Sequence, residues 1–419
     1  MLKEFKPVLL NKQFRYLWIS QITSQLSINI MNFVFLIWLF DKTGSALSTS
    51  FLWVAYSLPA ILVGPFASAT ADIVDRRKML IVANFLQGLT ILIFAVAHPE
   101  NIFVLFEVVF IYSLLNQFYV PAESASVPTL LPKERFAQGN SLFLLTQQGS
   151  MVLGFGVAGF LLALLGFETT LLLCSLLLFI AFLSTLFLPK MVPGYDAPQT
   201  FELAVTGFFG KILEGYKFIK GERNILAPFS LLIIFQVLVQ VAVIAVPSIA
   251  KDLLNLSLYT TGIYILVPAG GGAIVGVLSL PRLIARGWRK KKVIENSLLL
   301  LGIFLFLFTF VIPLLPYSVR VISTFISFAI IGLTFVGVVI PSQTFLQEST
   351  PRDLRGRVFG NYWFLVTAAS VLPVIFSGSI IEALGIRILI LMFSVLGISA
   401  YFISRRFGDD FLNNGTKKL

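Results

Sequence analysis

Two glutamates lie inside a long apolar stretch of the chain, where ionisable side chains are rare. Glu107 is flanked by Phe106 and Val108, and Glu123 lies near the other end of the same stretch. An ionisable group inside a membrane helix is by default a functional candidate, and a carboxyl group can exchange protons with its surroundings. Glu107 is therefore the first candidate for proton coupling and Glu123 the second. In one continuous helix they would lie about 24 Å apart, too far to share a proton directly.

Carboxamide side chains follow one face of the first apolar stretch. Gln21, Gln25, Asn29 and Asn32 recur at spacings of three and four residues, which is the helical period. Unpaired amides are costly in lipid, so this face is expected to point towards a cavity or towards polar partners. The alternative is that these groups hydrogen-bond between helices and line no cavity. Further candidates for cavity lining are Asn116, Gln147, Gln236, Gln240, Asn361 and Tyr362.

The residue types exclude most other chemistry. One histidine, His98, and one cysteine, Cys174, are too few for a metal site built from those ligands or for an intramolecular disulfide. The sequence has no clear pairing of a nucleophile with a base and no Gly-rich Lys-Ser/Thr segment for binding phosphate. We therefore expect no enzyme activity, no cofactor, no metal and no direct use of ATP.

The elements that must hold these residues are membrane helices. Hydrophobic residues make up 57% of the 419 residues and charged residues only 12%, about half the charged share of a soluble domain. Twelve apolar stretches are long enough to cross a bilayer as helices of about 20 residues. This predicts an all-α membrane protein with twelve transmembrane helices, named spans 1 to 12 here. Their approximate ranges are 14–40, 46–71, 79–97, 102–124, 139–165, 168–188, 225–250, 258–281, 293–315, 319–345, 357–382 and 386–404.

The net charge of +11 is explained by topology. Twelve spans place both termini on one side, and that side carries all of the 31 basic residues except Lys42, Lys251, Arg320 and Arg387. By the positive-inside rule this side is the cytoplasm. The sequence thus predicts a multi-pass protein of the cell membrane with cytoplasmic termini, and not a protein that binds nucleic acid.

The polar segment 189–224 between spans 6 and 7 divides the chain. It opens with Pro and Gly residues and continues with apolar residues at helical spacing, with lysines between them. This pattern predicts an amphipathic cytoplasmic helix lying on the membrane surface. The predicted domains are an N-terminal six-helix bundle at 1–188, this linker, and a C-terminal six-helix bundle with a short tail at 225–419.

The two halves of the chain resemble each other. The basic triplet 76–78 after span 2 has a counterpart at 290–292 after span 8. The segment 121–140 has a counterpart at 341–361, with Pro, Pro and Gly-Asn in the same order. Both pairs relate one span to the span six further on, which predicts a parallel repeat of six plus six helices. Transporters built from such repeats bind substrates near the membrane midplane.

The loop after span 2 carries a recognisable motif. It reads Ser68-Ala69-Thr70-Ala71-Asp72-Ile73-Val74-Asp75-Arg76-Arg77-Lys78. This resembles the loop motif G-x-x-x-D-R-x-G-R-K of the major facilitator superfamily, with matches at Asp72, Arg76, Arg77 and Lys78. The segments 43–46 and 348–357 are similar to the branch that contains macrolide exporters, the enterobactin exporter and lysophospholipid transporters. The resemblance covers the whole membrane region and implies the major facilitator fold.

The same loop supplies the candidate gating residues, Asp72, Asp75, Arg76, Arg77 and Lys78. A carboxylate at the cytoplasmic end of one helix can form charge-assisted hydrogen bonds with guanidinium groups and so connect neighbouring helices. Forming and breaking those bonds would give an element with two states. The alternative is that the three basic residues only anchor the topology.

Glycines in two spans are expected to pack helices closely, because small residues let helix backbones approach. Gly154 and Gly159 in span 5 resemble a Gly-Pro-x-x-Gly-type pattern of exporters in this superfamily, with Phe155 where Pro is usual. Gly272 and Gly276 occupy span 8. The pattern in span 5 implies export as the direction of transport.

These observations together predict a secondary active transporter that exports amphiphilic, drug-like small molecules by proton-coupled alternating access. The 42 Phe residues suit an apolar cavity for lipophilic cargo, with lipid contact as the alternative. Other possible functions are a lysophospholipid flippase, a siderophore exporter and, in a different class, a non-transporting membrane sensor or a passive channel. The expected partners are membrane lipid, a small-molecule substrate and protons, and the chain is expected to be a monomer.

Overall fold

The computed structural model describes residues 2–97, 101–192, 200–221, 223–351 and 354–412, and in these ranges the regular elements are helices. Five short or connecting helices are Leu2–Leu9, Lys133–Arg135, Phe201–Gly221, Leu258–Thr260 and Ile312–Leu314. The membrane spans are Lys12–Thr43 (span 1), Ala46–Leu62 with Gly64–Ile73 (span 2), Arg76–Ala97 (span 3), Ile102–Leu130 (span 4), Phe136–Leu186 (spans 5 and 6), Arg223–Ser248 (span 7), Val267–Ala285 (span 8), Lys290–Phe310 (span 9), Tyr317–Ser349 (span 10), Arg355–Leu384 (span 11) and Ile386–Leu412 (span 12). Span 7 continues into the π-helical turn Ile249–Leu253, and the π-helical turn Gly262–Leu266 precedes span 8.

The long helix Phe136–Leu186 contains two spans. Gly166 within it has φ 78° and ψ 173°, which is not helical. Glycine adopts positive φ without a steric penalty, so the helix breaks there. Among the described residues ten helices are apolar and long enough to cross a membrane, and the bent pair in span 2 adds an eleventh. The break at Gly166 completes the twelve predicted spans, and the prediction of an all-α membrane protein is confirmed.

The chain forms two compact units. Unit 1 comprises Met1–Lys42 and Leu52–Gly210, and unit 2 comprises Thr43–Phe51 and Lys211–Leu419. Within unit 2, the Glu382 carboxylate accepts hydrogen bonds from Ser45 Oγ and from the Leu47 backbone N–H, the latter at 3.1 Å. These bonds tie the start of span 2 to the end of span 11. The domain limits at 188 and 225 remain a prediction.

Unit 1 is built around the buried side chains of spans 1, 3, 4 and 5. Phe14, Leu17, Leu80, Tyr119 and Phe143 belong to one apolar cluster. Close approach also contributes, because a Cβ placed on Gly154 would lie 2.6 Å from Asn29 Cβ. Spans 1 and 5 therefore touch at a position that only glycine allows without displacing the neighbour. Gly159, one turn and a half further along, is buried as well.

In unit 2, spans 8 and 10 pack backbone against backbone. A Cβ on Gly272 would lie 1.7 Å from the Ala329 carbonyl oxygen, and a Cβ on Gly332 would lie 1.9 Å from the Ala269 carbonyl oxygen. Gly276 lies against Val336, where a Cβ would approach the valine Cβ to 3.1 Å. Any larger side chain at Gly272 or Gly332 must therefore push the two helices apart.

Each unit contains a serine–glycine hydrogen bond at the equivalent place, which supports the six-plus-six repeat. Ser175 Oγ in span 6 donates to the Gly88 carbonyl oxygen in span 3 at 2.8 Å. Ser394 Oγ in span 12 donates to the Gly302 carbonyl oxygen in span 9, also at 2.8 Å. Each glycine follows the first residue of its span by the same number of residues. The bond therefore occurs at equivalent places in both units.

The linker contains the predicted helix, at Phe201–Gly221. Phe218 and Ile219 pack into an apolar cluster of unit 2, while Phe209, Leu213 and Tyr216 are exposed. The helix thus presents an apolar face away from the protein, as an interfacial helix would. Residues 193–199 and 222 of the predicted linker lie outside the described residues.

Candidate functional site

Glu123 belongs to a buried polar network in unit 1. The Tyr119 hydroxyl donates to Glu123 Oε1 at 2.7 Å. Ser24 Oγ lies 3.1 Å from the Tyr119 oxygen and Ser20 Oγ lies 3.5 Å from it. Asn84 Nδ2 donates to Ser20 Oγ at 3.2 Å. The network therefore joins spans 1, 3 and 4 through side chains that are all buried.

Helical spacing accounts for the arrangement. Tyr119 and Glu123 are four residues apart on span 4, and Ser20 and Ser24 are four residues apart on span 1, so each pair lies on one helix face. Serine is small enough to leave room for the Tyr119 ring between the two helices. The result is a row of hydroxyl groups that ends at a carboxyl.

Glu123 has no basic partner among the described residues, and its only described hydrogen bond is the one from Tyr119. A carboxylate buried without a cation is unfavourable, so this group needs a proton or a bound cation to compensate it. Among the described residues no group of three or more His, Cys, Asp or Glu side chains could hold a metal ion.

Glu107 is in different surroundings. Its side chain is exposed, although the apolar residues around it predicted burial. Leu105, Val108 and Val109 close to it on the helix are buried, so Glu107 lies on a face of span 4 that differs from theirs. Of the two carboxyl groups on span 4, Glu123 is thus buried and Glu107 is exposed.

A second polar group lies beside the network in unit 1 and is only half-buried. The Tyr56 hydroxyl in span 2 hydrogen-bonds with the side chains of Asn32 in span 1 and Asn116 in span 4. Ser113 Oγ donates to the Tyr56 carbonyl oxygen at 2.5 Å and holds span 2 against span 4. Carboxamides both donate and accept, so this group can bind a neutral polar substituent of a ligand.

The remaining candidates for cavity lining are in varied surroundings. Gln21 is buried and donates to the Phe143 carbonyl oxygen at 3.3 Å, and Asn29 Nδ2 donates to the Gln25 carbonyl oxygen at 2.7 Å. These two bonds lie within unit 1 and fit the alternative of hydrogen bonding between or along helices. Gln147 is exposed, whereas Gln25, Gln236 and Gln240 are half-buried, and the side chain of Asn361 lies outside the described residues.

Tyr362 differs from the expectation that it lines a cavity. Its side chain is 2% exposed and its ring packs edge-on against Phe229 within an apolar cluster of unit 2. The surrounding residues Ile225, Leu346 and Val366 instead make it part of the unit 2 core.

The loop after span 2 is bonded to backbone within unit 1. Asp75 Oδ1 accepts hydrogen bonds from the backbone N–H groups of Arg77 and Met191, each at 3.0 Å. Arg76 Nη1 donates to the Ala125 carbonyl oxygen and to Thr129 Oγ1, each at 3.2 Å. These bonds join the start of span 3 to span 4 and to the segment after span 6.

Arg77 makes a similar contact. Its Nη2 donates to the carbonyl oxygen of Leu186, the last residue of span 6, at 2.7 Å. Helix C-termini carry partial negative charge, so guanidinium groups are stabilised there. Asp72 and Lys78 are exposed and form no ion pair with a described residue. Carboxylate–guanidinium bonds were expected in this loop, but among the described residues the guanidinium groups of Arg76 and Arg77 bind backbone carbonyl oxygens and Thr129 Oγ1.

Unit 2 has a counterpart of the contact that Arg76 makes in unit 1. Lys290 Nζ, at the start of span 9, lies 2.5 Å from Glu348 Oε2 at the end of span 10. Arg76 makes the equivalent connection from the start of span 3 to the end of span 4. In both units a basic residue thus connects the start of one span to the end of the next span, once through an ion pair and once through hydrogen bonds.

Sequence reasoning missed Tyr56, Tyr119, Ser20, Ser24 and Asn84. A signal was present for Tyr119, because it precedes Glu123 by one helical turn. The serines and Asn84 are too common in membrane helices to stand out. Only their positions on facing helices mark them as part of a network.

Comparisons with known proteins place the chain in a family. The model of the Major Facilitator Superfamily matches residues 17–374. The uncharacterized MFS-type transporter YkuC of Bacillus subtilis is 32% identical over 39% of this chain, and the match spans only 38% of that protein. The multidrug efflux pump Tap of Mycolicibacterium fortuitum is 25% identical over 87% of this chain and 89% of Tap. Macrolide efflux protein A of Streptococcus pyogenes is 30% identical over 30% of this chain and 32% of that protein.

A solved structure has the same fold. The nucleoside transporter NupG superimposes with a TM-score of 0.70 at 17% identity, covering 93% of this chain and 99% of NupG. The resemblance inferred from the loop motif is confirmed, as is the expectation of a transporter rather than an enzyme. The chain belongs to the major facilitator superfamily and is a multi-pass membrane transporter of small molecules.

Proposed function

We propose that this protein is a secondary active transporter of the cell membrane that exports amphiphilic small molecules in exchange for protons. The observation that carries the proposal is the buried Glu123 carboxyl, which has a hydroxyl partner and no described basic partner. Such a group holds a proton in one set of surroundings and releases it when water reaches it. Glu107, the exposed carboxyl on the same span, is the second candidate for this role.

Export is supported by the relatives. Tap is named a multidrug efflux pump and aligns with most of this chain, although at 25% identity. Macrolide efflux protein A aligns with a shorter part. Drug-like substrates of this kind combine a large apolar surface with a few polar groups. A transporter for them needs an apolar surface with a small number of hydrogen-bonding side chains.

The half-buried side chains of Asn32, Tyr56 and Asn116 provide such hydrogen-bonding groups within unit 1. They carry no charge, so they suit a hydroxyl, ether or carbonyl group better than an ammonium or a phosphate. Asp72 is proposed as a gating residue, because its carboxylate is exposed and has no described partner. Both termini are proposed to lie in the cytoplasm.

Transport by the purified protein in proteoliposomes tests the proposal. We expect an imposed pH gradient to drive uphill transport of at least one amphiphile from a panel of dyes, macrolides, siderophores and lysolipids. Glu123→Gln should abolish uphill transport and spare downhill exchange, because the neutral amide cannot release a proton. Uphill transport by Glu123→Gln at the parent rate would contradict coupling through this residue.

Glu107→Gln is the matched variant, because it makes the same change at the exposed carboxyl of the same span. We expect it to retain uphill transport. Loss of uphill transport in Glu107→Gln alone would move the coupling to Glu107. Preferential transport of lysolipids or siderophores would replace the drug-like substrate class, and the absence of any gradient-driven transport would refute the exchange mechanism.

A further inference from the structure

The hydrogen bonds around Glu123 depend on a few hydroxyl hydrogens. Tyr119, Ser20 and Ser24 each carry one hydroxyl hydrogen, and Asn84 Nδ2 donates to Ser20 Oγ at 3.2 Å. Asn84 Oδ1 is buried and has no hydrogen-bond partner, so it takes no part in the exchange of these hydrogens.

The direction of the bonds depends on the charge of Glu123. A charged carboxylate only accepts, so the Tyr119 hydrogen must point to Glu123 Oε1, 2.7 Å away. Tyr119 then has no hydrogen for the serines of span 1. A protonated Glu123 donates to the Tyr119 oxygen instead, and the Tyr119 hydrogen turns to Ser24 Oγ at 3.1 Å or to Ser20 Oγ at 3.5 Å.

Ser24 can follow this reversal without moving. Its Oγ lies within hydrogen-bonding distance of two acceptors, the Tyr119 oxygen at 3.1 Å and the Gln21 carbonyl oxygen at 3.2 Å. Its single hydrogen serves the Tyr119 oxygen when Glu123 is charged and the Gln21 carbonyl oxygen when Glu123 is protonated. Apart from the proton that Glu123 takes from water, the change needs only rotation of hydroxyl groups.

We infer that Tyr119 is a positioning residue that couples protonation of Glu123 to the hydrogen bonds between spans 1, 3 and 4. With a proton on Glu123, the Tyr119 hydrogen is free to bond to Ser24 Oγ or Ser20 Oγ on span 1. Without that proton, the bond between span 4 and span 1 depends on a serine hydroxyl donating to the Tyr119 oxygen, with Ser24 at 3.1 Å nearer than Ser20 at 3.5 Å. This inference rests on the proposed proton coupling and adds the device by which the proton acts on the helices.

The other groups that face this carboxyl do not compete with Tyr119. Span 1 contributes the hydroxyls of Ser20 and Ser24, and span 3 contributes the Asn84 carboxamide. The charged side chain bonded to this end of span 4 among the described residues is Arg76, which is bound to the Ala125 carbonyl oxygen and to Thr129. Tyr119 is thus the described group that donates to Glu123.

Infrared spectroscopy of the purified protein tests this inference without requiring transport. The carbonyl stretching band of a protonated carboxyl that disappears in Glu123→Gln reports the proton on Glu123, and its loss with rising pH gives a midpoint. Tyr119→Phe removes the hydrogen bond that stabilises the charged form. We expect the midpoint to move upwards by about one to two pH units.

Tyr112→Phe is the matched control. Tyr112 is a buried tyrosine of the same span, and its hydroxyl forms no hydrogen bond with a described residue. Its replacement should leave the midpoint unchanged. An unchanged midpoint in Tyr119→Phe, or an equal shift in both variants, would overturn the inference, as would a band that persists in Glu123→Gln.

A second variant keeps the test independent of the stability of Tyr119→Phe. Ser24→Ala removes the group that donates to Tyr119 and should move the midpoint in the same direction by less. In the Tyr119→Phe background it should have no further effect, because Ser24 then has no path to Glu123. An equal effect of Ser24→Ala in both backgrounds would refute a role through Tyr119.

Transport separates this inference from the proposed function. A midpoint that shifts as expected in a protein that shows no gradient-driven transport would support the network and refute proton exchange as the function. Gradient-driven transport with a midpoint unaffected by Tyr119→Phe would support the function and refute the role of Tyr119.

Discussion

At the scale of single residues, unit 1 holds two sets of polar side chains with different degrees of burial. Glu123, Tyr119 and Asn84 are buried and bonded to neighbouring spans. Asn32, Tyr56 and Asn116 are half-buried and joined through the Tyr56 hydroxyl, and we propose that they contact the substrate. The first set suits a proton, which needs no space, and the second suits a substrate, which does. We expect variants in the two sets to change different properties of transport.

Tyr56→Phe should weaken substrate binding. It removes the hydroxyl between Asn32 and Asn116, and one lost hydrogen bond of about 0.5–1.5 kcal/mol corresponds to a rise in KM of roughly 2-fold to 12-fold. The maximal rate and the pH dependence should change little. Initial rates of downhill transport over a range of substrate concentrations measure both quantities.

Tyr16→Phe is the control for this prediction. Tyr16 is also half-buried in unit 1, but its ring stacks on Phe187 with centroids 5.1 Å apart, away from the amides. Its KM should match that of the parent. Equal KM values for the parent and Tyr56→Phe would exclude Tyr56 from substrate recognition.

At the scale of elements, the segment before span 3 contains two aspartates in different surroundings: Asp75 is bonded to backbone N–H groups and Asp72 is exposed. Asp75 directly precedes span 3, and its carboxylate accepts a hydrogen bond from the Arg77 N–H, as a helix N-cap does. The same carboxylate accepts a hydrogen bond from the Met191 N–H. Asp72 forms no such bond with a described residue. The two carboxylates lie three residues apart, so they can be compared under identical conditions.

Asp75→Ala should lower the free energy of unfolding by about 0.5–2 kcal/mol, because the cap and the bond to Met191 are lost. Asp72→Asn should leave stability unchanged within about 0.5 kcal/mol and slow turnover, as expected of a gating residue. Thermal unfolding in detergent and transport rates in proteoliposomes distinguish the two effects. Normal turnover in Asp72→Asn would exclude Asp72 from gating.

Close packing of spans 8 and 10 gives a prediction with an adjacent control. Gly272→Ala would place Cβ 1.7 Å from the Ala329 carbonyl oxygen, whereas Gly271→Ala meets nothing within 4 Å. We expect Gly272→Ala to destabilise the protein by about 1–3 kcal/mol or more. Gly271→Ala should be neutral or slightly stabilising, because alanine favours the helix. Equal melting temperatures for the two variants would show that spans 8 and 10 accommodate the added Cβ without loss of stability.

At the scale of the whole molecule, the orientation in the membrane can be tested by labelling. The parent chain has one cysteine, Cys174, which is buried, so new cysteines can be followed against a low background. Gly194→Cys in the linker should not react with an impermeant reagent added to intact cells. Tyr317→Cys, at the start of span 10 on the opposite side in the predicted topology, should react. The reverse pattern would overturn the predicted orientation.

The positions of the spans follow from local sequence alone. A stretch of about 20 apolar residues has to cross the bilayer as a helix wherever it lies in the chain, because lipid cannot satisfy an open backbone. The number of spans and the repeat of six plus six helices are therefore visible without a structure. The predicted ranges of spans 5 and 6, 139–165 and 168–188, also separate at Gly166, where the long helix breaks.

Contacts between helices depend on rotation about each helix axis, which apolar residues on all sides of a span leave undetermined. The sequence placed Glu107 and Glu123 in the same apolar stretch, but packing against spans 1 and 3 buries only Glu123. In the same way Tyr362 became part of the unit 2 core. Tyr119 and Asn84 meet Ser20 and Ser24 because close packing brings spans 1, 3 and 4 together. The sequence by itself determined which residues cross the membrane, and only the tertiary structure decided which polar groups face one another.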